Sequence, residues 1–272
     1  MIRAGCQGWN YTDWITPSGA EHVFYPVGTK QGEMLGLYSK VFDTVEVDST
    51  FYALPSASIF EKWYSRSSPG FLFSLKMPRE ITHELRLRKA SYPLAEEFFS
   101  RASLLKEKLG PILIQLPPSF RAERENAREL REFLSFLPGG ISFTVEFRDP
   151  RWLVDWTFAE MEKCGAWLCT VEGAWVARKH WFAALERISG LPVYVRFMGT
   201  RDLARFDRVC RPQDQIIGEW YDSISAFCER DVYVYFSNLL EGFAPASVNK
   251  LRELSGKGVA DPGELEIQDR LF

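Results

Sequence analysis

What most constrains this chain is a recurrence. Eight short apolar or alternating runs appear in order, most of them separated by helix-like stretches. They are IRAGC (Ile2 to Cys6), TVEVD (Thr44 to Asp48), FLFSLKM (Phe71 to Met77), PILIQL (Pro111 to Leu116), FTVEF (Phe143 to Phe147), AWLCTV (Ala166 to Val171), VYVRFM (Val193 to Met198) and VYVYFS (Val232 to Ser237). Between the fourth and fifth, Leu130, Phe133, Leu134 and Leu137 form one apolar stripe at helical spacing. The mixed-sign run RAERENARELRE is the solvated side of the same helix. A last helix reads PASVNKLRELSG and is predicted to end at Gly256. Strands alternating with helices and no linker-like break predict one (β/α)8 TIM barrel, a single domain over residues 1–272. An open doubly wound sheet is the rival, but no glycine-rich dinucleotide loop follows the first run.

A barrel strand turns alternate residues toward the lumen and toward the helices. One phase here reads Val45 and Val47; Ile112 and Ile114; Phe143, Val145 and Phe147; Val193, Val195 and Phe197; Val232, Val234 and Phe236. That set suits the helix-packed side. The other reads Thr44, Glu46 and Asp48; Ser74 and Lys76; Gln115; Thr144, Glu146 and Arg148; Tyr194 and Arg196; Tyr233, Tyr235 and Ser237. A lumen filled for stability alone prefers Val, Ile and Leu. This one is predicted to carry ionisable groups near the carboxyl ends of the strands, where barrel enzymes build their sites. Glu46, Asp48 and Glu146 balance Lys76, Arg148 and Arg196 in sign, so a structural ion-pair network is the competing expectation.

The segment after the third run, KMPREITHELRLRK, holds Lys76, Arg79, His83, Arg86, Arg88 and Lys89 against Glu80 and Glu84. Such a loop suits an anionic ligand, or is merely solvated. His83 is read as a proton donor near neutral pH, or a surface imidazole. Aromatic residues make up 15% of the chain, and several follow the runs closely: Trp9, Tyr11, Trp14, Phe51, Tyr52, Phe120 and Trp152. As a group they suit an organic ligand that presents a ring.

Other chemistries fit less well. Three histidines without HxH or HExxH spacing weigh against a multi-histidine metal site; an oxygen-only Mg²⁺ site from Glu46, Asp48 and Glu146 is the remaining option, and no other cofactor is expected. Cys6 is better read as a small packed residue than as a nucleophile. A Schiff base at Lys76 is disfavoured because nearby carboxylates hold the ammonium charged. A net charge of −3 argues against a surface that coats polyanions. No apolar run is long enough to span a membrane, and MIRAGCQGWN lacks an apolar signal core. Five scattered cysteines, Cys6, Cys164, Cys169, Cys210 and Cys228, fit reduced thiols in the cytoplasm. No feature sets an oligomeric state.

The stretches GCQGWNYTDW, FDTVEVDSTFYALP, FSLKMPREITHELRL, KLGPILIQLPPSF, TVEFRDPRW, YVRFMG and DVYVYFSNLLEG together resemble the YecE-like family, domain of unknown function 72. The resemblance runs along nearly the whole chain. It implies a TIM barrel and supplies no reaction. Its recurring polar positions fall on Glu46, Lys76, His83, Gln115, Glu146, Arg148, Arg196 and Asn238. The chain departs from the pattern at Asp48 and Ser237, where Asn is usual, and at the residues between the glycines of GCQGW.

Three functions compete. The first is an enzyme acting by hydrolysis or isomerisation on a small anionic organic molecule, a sugar phosphate or nucleotide fragment. In it Glu46 and Glu146 are general acid and base, His83 assists, Lys76 stabilises developing charge, and Arg148 and Arg196 clamp the anion. Asp48, Gln115, Asn238, Trp9 and Tyr52 complete the binding set. The acid–base assignment requires that the two glutamates be neither screened from solvent nor locked to arginines on every oxygen. The second is a nucleic-acid-processing or repair-like barrel, the third a non-catalytic metabolite-binding module.

Overall fold

The computed structural model describes residues 1–188, 190–227 and 229–263. Cys228 lies outside them, and the other four cysteines are free thiols. Eight parallel strands form the sheet: β1 Ile2–Cys6, β2 Thr44–Val47, β3 Leu72–Lys76, β4 Leu109–Gln115, β5 Phe143–Glu146, β6 Trp167–Glu172, β7 Val193–Phe197 and β8 Val232–Phe236. Around them run α1 Met34–Val41, α2 Ser49–Tyr52, α3 Ala57–Arg66, α4 Tyr92–Ala102, α5 Arg124–Phe136, α6 Asp155–Lys163, α7 Arg178–Arg187, α8 Asp214–Ser225, α9 Asn238–Glu241 and α10 Ala244–Leu254. The sheet order is β1-β8-β7-β6-β5-β4-β3-β2, a (β/α)8 TIM barrel. Each strand lies within two residues of its predicted place. Leu130, Phe133 and Leu134 of α5 are buried as their spacing requires. After α10, Gly256 takes a positive φ of 74° and the Lys257 amide returns to Arg252 O at 2.8 Å, the glycine-stopped end that the sequence predicts.

The predicted facing of the strands is visible in contacts between strands that are not neighbours. Ser74 Oγ on β3 lies 2.7 Å from Tyr194 Oη on β7, and Thr44 Oγ1 on β2 lies 2.7 Å from Tyr235 Oη on β8. Such pairs meet only across a lumen. The opposite phase, Val45, Val47, Ile112, Ile114, Val195 and Val234, is buried in the apolar layer shared with the helices.

The barrel closes by an unusual seam. β1 and β8 pair over five residues, from Ile2 opposite Val232 to Cys6 opposite Phe236. Between β1 and β2 the pairing is a single bridge, Gln7 opposite Glu46, with the Gly8 amide donating to Glu46 O at 2.8 Å. Below it the Tyr38 hydroxyl of α1 stands between the strands. It accepts from the Cys6 amide at 2.7 Å and donates to Thr44 O at 3.1 Å. Gly5 permits this approach, because a Cβ there would lie 2.0 Å from Thr44 O.

Candidate functional site

The lumen residue that organises the rest is Arg196 on β7, fully buried. Its Nε donates to Glu46 Oε1 and Oε2 at 3.0 and 2.9 Å, and its Nη2 to Glu46 Oε1 at 2.7 Å. Its Nη1 donates to Glu146 Oε2, and Gln115 Oε1 lies 3.5 Å away. Tyr194 adds a bond to Glu46 Oε2 at 2.7 Å, and Arg148 Nε one to Glu146 Oε1 at 3.0 Å. Every carboxylate oxygen of the two glutamates is therefore engaged. Burial pushes the Glu46 carboxyl up, against the pull of Arg196. Burial also raises Glu146, but Arg196, Arg148 and Lys76 together bring it below its ordinary value.

Above this network lies the mouth. Lys76 ends β3 and is nearly buried, yet its Nζ has no hydrogen-bond acceptor among the described residues. Asp48 Oδ1 stands 3.7 Å away and the Phe51 ring centroid 4.1 Å. Thr50 sets this arrangement: its hydroxyl bonds Val47 O at 3.0 Å and Lys76 O at 2.6 Å, tying α2 to the end of β3 and bringing Phe51 under the ammonium. Burial lowers the Lys76 pKa, while Asp48 opposes. Arg148 commits Nε to Glu146, and no described residue accepts from its terminal nitrogens; its guanidinium carbon lies 5.6 Å from the Trp175 ring centroid.

His83 sits in a single π-turn, Glu80–Glu84, closed by the Leu85 amide on Glu80 O at 2.8 Å. Such turns recur at functional positions. Arg86 and Leu87 follow with φ of 53° and 63°, a left-handed conformation that costs non-glycine residues free energy. The Arg86 side chain holds that conformation by bonding Ser119 Oγ and O at 3.1 and 3.0 Å. The imidazole lies 2.8 Å from Thr82 Oγ1 through Nδ1 and edge-on to Phe51. Desolvation, then Arg148, Lys76 and Arg79, push its pKa down to about 4.

Beside the mouth, between the β1 and β2 loops, runs an open groove of about 790 Å³ lined in part by Gln7, Trp9, Asp48, Ala53, Ile59 and Trp63. Gly8, at φ 87°, turns the chain from β1 into Trp9. Tyr52 is 75% exposed on the rim, its ring packed on Phe51. Asn238 opens α9 and is buried. Its Oδ1 accepts from the Ala244 amide at 2.9 Å, and its Nδ2 has no partner among the described residues.

The family described as "Protein of unknown function DUF72" matches residues 3–268. The chain belongs to that family. Among curated relatives, the UPF0759 protein YecE of Escherichia coli K12 is 31% identical over 151 residues, 56% of this chain and 50% of the relative. The UPF0759 protein YunF of Bacillus subtilis is 32% identical over 158 residues, 56% and 52% respectively. The matched stretch thus spans about half the length of these relatives. A DUF72 family protein of Thermotoga maritima superposes with a TM-score of 0.75 at 24% identity, covering 94% of this chain and 99% of that one. One from Enterococcus faecalis does so with a TM-score of 0.72 at 18% identity, covering 94% and 96%. These two solved structures show the fold.

In this DUF72 chain several expectations need correction. Glu46 and Glu146 are not free to act as acid and base, because both are buried and each of their oxygens already accepts from Arg196, Arg148 or Tyr194. Arg196 stands between them, so it neither clamps an outside anion nor leaves room for Mg²⁺ among Glu46, Asp48 and Glu146. Among the described residues no acid, histidine or cysteine group has metal-binding geometry. His83 is neutral at pH 7 rather than a proton donor. At Lys76 burial outweighs the carboxylates, the reverse of the expectation. The third loop's cations are largely taken: Arg79 by Glu84, Arg88 by Glu125 at 3.0 Å, Lys89 by Glu132 at 3.4 Å. Cys6 is buried and its thiol is pushed up by burial, as a packed residue would be.

Sequence reasoning missed Trp175, Gln7 and the π-turn. Trp175 is 54% exposed in the loop after β6. The one signal for it was its place just beyond a strand's carboxyl end, beside the glycine of EGAW. Among the described residues no helix is long and apolar enough to cross a membrane.

Proposed function

We propose that the carboxyl-end mouth of the barrel binds a small anionic organic molecule and acts on it by general acid–base chemistry, hydrolysis or isomerisation. The observation that carries this reading is the Lys76 ammonium: nearly buried, with three N–H donors and no acceptor within hydrogen-bond distance among the described residues. An ammonium this poorly hydrated gains from a ligand oxygen that accepts its hydrogen bonds. Arg148 offers its terminal nitrogens to the same space.

The roles follow from which groups are available. Lys76 and Arg148 receive the anion, and Lys76 stabilises charge that develops on it. His83, neutral at pH 7, is the base. Asp48, whose carboxylate caps no helix and is more than a third exposed, orients the substrate. Glu46, Glu146 and Gln115 hold Arg196, and that frame fixes where Arg148 stands. The nucleic-acid reading lacks the free basic face it needs, because the third loop's cations are largely paired within the protein.

A thermal-shift screen of phosphorylated and carboxylated metabolites tests this. A ligand that binds the native state raises Tm by mass action. At least one such anion is expected to raise it in the wild type and to lose that effect in Lys76→Met and in Arg148→Ala. No shift by any anion, or a shift that persists in both variants, refutes the reading. Turnover of a hit that survives His83→Asn unchanged removes the base assignment.

A further inference from the structure

The groove beside the mouth is far larger than a phosphate needs, and Asp48 belongs to both. Resting on the anion site above, we propose that this groove seats the sugar ring of a sugar phosphate whose phosphate is held by Lys76 and Arg148. Asp48 joins the two: it lines the groove, and its Oδ1 stands 3.7 Å from the Lys76 ammonium.

The lining selects the class. Gln7 is buried on the groove's wall, and its Nε2 donates to the thioether of Met198 at 3.1 Å, a weak acceptor. Asp48 Oδ1 is buried and faces inward, 3.7 Å from Lys76 Nζ and 3.8 Å from Arg196 Nη2, while the rest of the carboxylate is exposed on the groove's wall. One wall therefore holds an under-used donor and an exposed carboxylate acceptor. A sugar hydroxyl gives and takes at the same oxygen and matches both. An acyl chain offers neither a donor nor an acceptor to that wall.

The apolar side favours a sugar over a base. Trp9 and Trp63 meet edge to face, with ring centroids 5.7 Å apart and planes at 90°. Two perpendicular rings make a corner, not a parallel slot. A flat base stacks best in a slot, whereas the C–H faces of a puckered sugar fit a corner.

Isothermal titration with glucose 6-phosphate, inorganic phosphate and AMP separates the readings. Glucose 6-phosphate is expected to bind at least about tenfold tighter than inorganic phosphate, a difference of about 1.4 kcal/mol. That ratio falls to roughly one in Trp9→Ala, which removes one wall, and in Ala53→Trp, which fills the groove from an exposed position and leaves the core alone. Equal affinity for glucose 6-phosphate and phosphate in the wild type overturns the groove assignment and leaves the anion site standing. Tighter, Trp9-dependent binding of AMP overturns the sugar in favour of a base. Binding of none of the three overturns the phosphate site and this inference with it.

Discussion

Replacing Arg196 by methionine tests the lumen network directly. The substitution keeps most of the volume and deletes a fully buried guanidinium that bonds both oxygens of Glu46 and one of Glu146. Glu146 keeps Arg148 at 3.0 Å, but Glu46 keeps only the Tyr194 hydroxyl at 2.7 Å. Removing one partner of a buried ion pair costs about 3–5 kcal/mol, and the fully buried Glu46, left with no cation, places this case at the upper end. Against a total stability of about 5–15 kcal/mol that is a large fraction. Tm should fall by roughly 10–20 °C, at about 2–4 °C per kcal/mol for a domain of this size.

The loss should also depend on pH in a definite direction. Burial already raises the Glu46 carboxyl, and without Arg196 nothing cationic opposes it directly. A group whose folded pKa lies above its unfolded value loses stability as pH rises. The gap between wild type and variant should therefore be wider at about pH 8 than at about pH 5 in urea unfolding. Replacing all three ions together, Glu46→Leu, Glu146→Leu and Arg196→Met, should recover most of the loss, since a well-packed apolar set often matches a buried ion triad. A loss under about 1 kcal/mol, or one equal at both pH values, would falsify this account of the lumen.

Two further outcomes follow from other parts of the molecule. The His83 imidazole, followed by proton NMR, should titrate at about 4 and rise partway toward 6.5 in Arg148→Ala; desolvation is the largest cause of its shift, so full recovery would contradict the assignment. Because its folded pKa lies below the unfolded value, His83 withdraws stability as pH falls from 6.5 to about 4, by about 1–2 kcal/mol after allowance for its partial exposure. Tyr38→Phe strands the buried Cys6 amide and Thr44 carbonyl, and should cost about 1–3 kcal/mol with faster exchange of the Cys6 amide; a change below about 0.5 kcal/mol would show that the seam does not need the hydroxyl.

The sequence made the barrel and its facing legible because both rest on local periodicity. Period-two alternation places Glu46, Glu146 and Arg196 on one side of their strands whatever the rest of the chain does. What it does not encode is pairing. Three acids and three bases at the strand ends read as a catalytic set, and only the lumen's width decides that Arg196 reaches Glu46 on one side and Glu146 on the other. The proton-donor reading of His83 failed for the same reason: its shift comes first from burial, in a π-turn without a local signature, and then from Arg148 and Lys76, which the fold brings in from the ends of β5 and β3. The positive loop after β3 looked available because its acids lie far along the chain, on α5, at Glu125 and Glu132.

The seam beside Tyr38 also bears on how the chain assembles. β1 shares five paired positions with β8, more than two hundred residues away, and one bridge with β2, its successor in sequence. β1 is thus bound more firmly to β8 than to its neighbour in sequence. Without β8, β1 is held to the sheet by one bridge to β2, one tyrosine hydroxyl and a glycine-thin contact, so closing the circle depends on a pairing between segments far apart in the chain, a slow step for a folding polypeptide.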